Sequence, residues 1–321
     1  MAGRRYQVLC VGLMVADVVV RPVGPDCFQR DTNRLESALL RSGGDALNEA
    51  TVLARLGVRT GLVGRIGDDL FGDFLLEQLA RAGVVTTHVL RDRALGTAVT
   101  VVLLQAGGER NFLYYPGAGA ALHAADLSDE LLLDTEYMAV GSAFGLPGLD
   151  GDGLASLLQR ARRCGVVTAL DTTWDSSGRW LDLLAPAMPY VDLFLPSLYE
   201  AGALVGDGTP DAVAARLAAL GPRTVVLKMG ADGCYLHSAS GRGHLPPLPS
   251  SVVDTTGAGD CFVAGLLAGQ TRRWSLRDSA LLGHAAAACC VEAIGATTGI
   301  RDWEQVSSRC PVTGCETPGD S

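Results

Sequence analysis

The residues best placed to do chemistry lie in the string Asp254-Thr255-Thr256-Gly257-Ala258-Gly259-Asp260-Cys261-Phe262-Val263-Ala264-Gly265. Two apolar residues before it read as the end of a strand, the first two glycines permit a tight turn, and residues from Asp260 onward read as a buried helix. Such a loop gathers several backbone N–H groups in one small volume. The N-terminus of the following helix adds partial positive charge, so 257–259 is a candidate anion site. The loop lacks the lysine that a G-x-x-x-x-G-K-[ST] loop supplies. Its charged residue is the carboxylate of Asp260, which would repel a phosphate unless its task were to take up a proton. A proton acceptor beside a phosphate cradle suggests phosphoryl transfer to a hydroxyl, with Asp260 as base and the N–H groups of Gly257, Ala258 and Gly259 stabilising the transferred group. A glycine-rich turn capped by an aspartate is the purely structural alternative.

A second polar set lies near the N-terminus. Gly43 and Gly44 let backbone approach a ligand, while Asp45 and Asn48, three apart at the start of a helix running to Leu56, project on one face. Such a pair suits vicinal hydroxyls. Asp17 follows a first strand at Tyr6–Val11, and a carboxylate just past the C-terminal end of that strand lies where open α/β sheets bind ligands. Arg110, at the return of a later hairpin, is a further candidate for a polar substrate.

These residues need a scaffold. From Ala125 onward helix and strand alternate, which predicts a parallel sheet with polar residues collected at the C-terminal strand ends, Asp171 and Ser197 among them. Val18 to Arg21, Arg34 to Arg41 and the hairpin Thr97 to Tyr115 are short, β-branched and interrupted by turn residues, so a small separate lid sheet is expected from about 14–42 and 96–116. Its edges would suit pairing with a second copy as a homodimer. One α/β domain is expected over 1–303, and 304–321, with Pro311 and Pro318, as a loose tail.

A net charge of -9 argues against a nucleic-acid partner. No uninterrupted apolar run is long enough for a membrane span. Nine scattered cysteines without a C-x-x-C fit a reducing cytoplasm.

Five segments in order resemble the ribokinase-like (PfkB) family of sugar and nucleoside kinases. They are the string from Asp254 to Gly265, the G-G-x-x-x-N-x-A loop at Gly43, the segment from Gly64 to Gly72, Ser197-Leu198-Tyr199-Glu200 in place of N-x-x-E, and the K-x-G-x-x-G element from Lys228 to Gly233. The resemblance implies a ribokinase-like α/β fold, a central mostly parallel sheet flanked by helices with a small β-sheet lid. It implies ATP near Ser197, Lys228, Gly230, Gly233, Gly257 and Gly259, and His284 beside the adenine base. It further implies Mg²⁺ held through water by Glu200, and a monovalent cation such as K⁺ at Asp254 and Thr256. Asp17, Gly43, Gly44, Asp45, Asn48 and Arg110 would face the sugar. The serine at 197 puts a direct phosphate contact there in doubt.

The expected activity is ATP-dependent phosphorylation of a hydroxyl, a CH2OH group, on a sugar or polyol. A nucleoside kinase ranks below it because few aromatic residues fall near the expected substrate loops. A catalytically silent sugar-binding regulator is disfavoured by the intact Asp260 and glycine loop.

Overall fold

The strand Tyr6–Val11 sends Val8 and Cys10 into one core and Leu9 and Val11 into another. A strand apolar on both faces has to be covered on both. That requirement sets the three-layer architecture of the computed structural model, which describes residues 4–312.

In chain order the strands are β1 (Tyr6–Val11), β2 (Val15–Arg21), β3 (Ser37–Gly43), β4 (Thr60–Val63), β5 (Arg65–Gly67), β6 (Leu90–Asp92), β7 (Ala98–Leu104), β8 (Arg110–Tyr115), β9 (Thr135–Ala143), β10 (Val167–Thr172), β11 (Leu193–Phe194), β12 (Thr224–Lys228), β13 (Cys234–Ser238) and β14 (Gly241–Leu245). The α-helices are α1 (Asp45–Arg55), α2 (Leu70–Ala82), α3 (Asp129–Leu133), α4 (Asp152–Arg163), α5 (Leu181–Leu184), α6 (Leu198–Val205), α7 (Pro210–Ala218), α8 (Ala258–Thr271), α9 (Leu276–Cys290) and α10 (Trp303–Arg309).

The main sheet runs β14-β13-β12-β11-β10-β9-β1-β4. It is parallel from β4 to β12 and closes with two antiparallel strands. Helices α1, α2, α8 and α9 cover one face and α4, α6 and α7 the other. The expected ribokinase-like arrangement is therefore present. Over the C-terminal strand ends stands a second sheet, β3-β2-β7-β8, whose outer strand β8 is exposed along its whole length.

Two expectations are corrected. Asp17 does not sit in a loop beyond β1. It lies within β2, paired opposite Thr100 of β7, because the lid strand begins at Val15 rather than Val18. Nor is the chain loose from 304: Asp302 caps α10 by accepting from Gln305 N at 2.9 Å, and Trp303 and Val306 are buried. Arg272 lies over the Trp303 ring at 3.9 Å, so burial of the indole orders this turn. The rest of that stretch, 313–321, lies outside the described residues. Among the described residues no helix is long and apolar enough to cross a membrane.

Candidate active site

Two helix starts converge on Asp260. Helix α8 begins at Ala258, earlier than its sequence pattern suggests, so Asp260 stands in the first turn. Gly257 precedes it at a φ of 75°, and a Cβ there would lie 2.5 Å from the Ala296 carbonyl oxygen, so only glycine fits. Helix α1 starts after Gly44, at a φ of 92°, where a Cβ would meet the Leu13 carbonyl oxygen at 2.5 Å. From its first turn Asn48 Nδ2 donates to Asp260 Oδ2 at 2.7 Å. Asp260 Oδ1 has no partner among the described residues.

Burial, followed by the negative charge of Asp45, pushes the Asp260 carboxyl well above the usual range, against the pull of Asn48 and Lys228. Asp45 is itself raised, mainly by burial. The counterweight is Lys228, whose Nζ is ion-paired with Asp171 at the end of β10. Burial pulls the Lys228 ammonium down, but Asp171, Glu200 and Asp260 outweigh it and hold it above its ordinary value, so it stays charged. Its Nζ lies 3.4 Å from where a Cβ on Gly259 would stand, beside the anion loop. Asp171, pushed up to about 6 chiefly by burial, was legible only as a strand end.

Ser197 and Glu200 form a capping box at the start of α6. Glu200 Oε2 accepts from Ser197 N at 2.9 Å, Ser197 Oγ at 2.7 Å and Thr172 Oγ1 at 3.0 Å. Its other oxygen, Oε1, has no partner among the described residues. Gly230 and Gly233, at φ of 57° and 84°, shape the turn between β12 and β13. His284 is buried on α9, with its ring centroid 5.1 Å from that of Phe262 and Nε2 unpartnered, and burial lowers its pKa to about 4.

Arg110 reaches from the lid to the anion loop. Its Nη1 donates to Thr256 Oγ1 at 2.8 Å and stands 3.4 Å from Asp254 Oδ1. Asp254 Oδ1 also accepts from Thr256 N at 3.0 Å, and Oδ2 from Gly295 N at 3.0 Å, which ties the loop to the turn after α9.

Between lid and body lies a cleft of about 1520 Å³, with Asp17, Gly44, Asp45, Arg110, Asp254 and Thr256 on its walls. Gly43 leaves the space that the Asp17 carboxylate occupies. Phe112 and Tyr114 of the lid, Phe144 after β9 and Trp174 after β10 also line it. The expectation of few aromatic residues near the acceptor is thus overturned: they arrive from segments distant in sequence from the glycine loops.

Residues 5–303 match the family model described as pfkB family carbohydrate kinase. The chain belongs to that family. Phosphoryl transfer to an alcohol, expected from the sequence, is the activity of this family, and the chain is a carbohydrate kinase of pfkB type. It is 34% identical to the aminoimidazole riboside kinase of Salmonella typhimurium, over 83% of this chain and 86% of that one. With fructokinase-1 of Oryza sativa subsp. japonica the identity is 30%, over 83% and 84% of the two chains. The ribokinase of Arabidopsis thaliana, solved with ribose and ATP, superposes with a TM-score of 0.83 at 23% identity, over 96% of this chain and 99% of that one, a likeness of fold.

Proposed function

We propose that this kinase transfers the γ-phosphoryl group of ATP to a CH2OH hydroxyl of a sugar or ribosyl acceptor bound between the lid and the start of α1. The observation that carries this reading is the placement of Asp260: one oxygen is fixed by Asn48, the other is free, and the N–H groups of 257–259 lie beside it. The free oxygen takes the hydroxyl proton as attack proceeds, and its raised pKa suits a base that must accept one. Gly257, Ala258 and Gly259 stabilise the equatorial oxygens, and Lys228 offsets their charge. Asp17 and Asp45 hold acceptor hydroxyls. Arg110, joined to Thr256, draws the lid onto the loop and limits water entry.

Mg²⁺ fits the residues present. Glu200 Oε1, without a hydrogen-bond partner among the described residues, suits an ion held mostly by phosphate and water. Bound there, it would neutralise charge on the β- and γ-phosphates. A monovalent cation would be held by backbone carbonyls of the Asp254 loop and the closing turn, since both side-chain oxygens of Asp254 already accept hydrogen bonds. His284, lodged against Phe262, serves the nucleotide site by packing rather than by contact with the base.

The aromatic walls favour a second reading, a nucleoside-like acceptor whose planar base lies against Trp174 or Phe112. The aminoimidazole riboside kinase among the relatives supports it. The exposed edge of β8 supports a homodimer through the lid, an idea that a single-chain mass in sedimentation would set aside. Cys10, Cys27, Cys164, Cys234, Cys261, Cys289 and Cys290, outside any disulfide among the described residues, support residence in the reducing cytoplasm.

Following ADP release from ATP and Mg²⁺ across a panel of sugars and ribonucleosides tests the proposal. Acceptor-dependent ADP with one class identifies the acceptor. Intact ATP binding with no acceptor-dependent ADP from either class would leave a silent binding protein instead.

A further inference from the structure

Adjoining the cleft, with Arg41, Ser42, Gly295 and Ala296 in a shared wall, lies a second cavity of about 580 Å³ to which the catalytic reading gives no ligand. It is walled by β3, the C-terminal half of α1, the middle of α2 and residues 295–301. Three arginines are among its lining residues, the exposed Arg41 from the lid, the half-buried Arg55 from α1 and the exposed Arg301 beyond the closing turn, together with Thr51, Gln78 and Thr298. Among the described residues no aspartate or glutamate lines it. In a chain of net charge -9 this is a local reversal of sign.

The three cations are not compensated from within. Arg55 Nη1 donates to the carbonyl oxygens of Thr297 at 2.6 Å and Ile300 at 2.9 Å, neutral acceptors that hold the guanidinium without cancelling its charge. The side chains of Arg41 and Arg301 have no partner among the described residues. Guanidinium forks match phosphate oxygens two at a time, and hydroxyl and amide groups supply further donors. A carboxylate would answer one of the three charges, whereas a phosphate dianion answers two. The volume exceeds that of a lone phosphate and falls in the range of small-molecule sites.

We propose that this cavity is a second anion site, separate from the loop at 257–259, that binds inorganic phosphate or the phosphate group of a small metabolite. Its ligand would join the lid strand β3, through Arg41, to the turn whose Gly295 N–H holds Asp254. By linkage it would favour the arrangement in which both are in place.

The test uses the full chain saturated with Mg²⁺ and a non-hydrolysable ATP analogue, so that the catalytic loop is filled. Inorganic phosphate and, separately, a hexose monophosphate are titrated calorimetrically at constant chloride strength. One site per chain should remain. Arg301→Gln should weaken it roughly 10- to 100-fold, the loss expected for a hydrogen-bonded charge, and Gln78→Glu, which places an acid in the cavity, should abolish it. Thermal midpoints without ligand check that both variants fold. Tighter binding of the hexose monophosphate assigns a metabolite, and equal or weaker binding assigns free phosphate. Absence of any site once the nucleotide is bound, or unchanged affinity in both variants, overturns the proposal.

Discussion

At the scale of single residues, the pairing of Asp260 with Asn48 makes the sharpest claim. Asp260→Asn keeps shape and removes the proton acceptor, so turnover should fall by about 10² to 10⁴ with ATP affinity retained. A loss below about tenfold in single-turnover rate would move the base elsewhere. Glu49, next in the helix, is fully buried with neither oxygen partnered. Burial, then the charges of Asp171, Asp260 and Asp45, push its pKa well above the ordinary 4.5, so the folded chain holds a proton there that the unfolded chain releases. Its contribution to stability is present below 4.5 and is lost as pH rises toward the folded pKa. Glu49→Gln lacks that dependence. Its advantage in thermal midpoint over the native chain should widen from about pH 5 to about pH 8, and a constant difference would mean a partnered, charged Glu49. Asp260 and Asn48 were legible because glycines and helix starts mark them. Glu49 was not, because a glutamate in a helix reads as solvent-facing until α8 covers it.

At the scale of elements, the anion loop depends on the close approach of Gly257 to Ala296. Gly257→Ala places a Cβ against backbone in a left-handed conformation and should cost about 1–3 kcal/mol, seen as a lower thermal midpoint even without nucleotide. An unchanged midpoint would show that the turn has room to yield. In the lid, burial raises the Asp17 carboxyl from 3.8 to about 6, with Thr100 opposing. The KM for the acceptor should therefore rise as pH falls through about 6, when Asp17 takes up a proton, and Asp17→Asn should flatten that limb. Persistence of the same limb in the variant would assign it to another carboxylate. The lid strands were readable from β-branched alternation. Where β2 begins was not, because its pairing of Val15 with Ala98 is a tertiary contact that no local pattern encodes.

At the scale of the whole molecule, alternation of helix and strand made the parallel sheet plain from sequence, while the cleft's aromatic walls came together only through the fold. The packing of α1 on α8 has a consequence for how the chain is made. Seven apolar or polar neighbours from Ala46 to Val52, with Leu53, are buried in a helix finished early in synthesis. Part of their cover comes from the nearby β1, β4 and α2, but the part supplied by α8 is added roughly two hundred residues later. At ribosomal rates of about 5–20 residues per second, that face waits on the order of 10–40 s before its partner exists. A chain ended just before Gly257 would wait indefinitely, and it should collect in the insoluble fraction while the full chain stays in solution. If the shortened chain proved soluble and monomeric, α1 would have to find shelter without α8, and the nascent protein would pass through synthesis with no exposed seam for chaperones to guard.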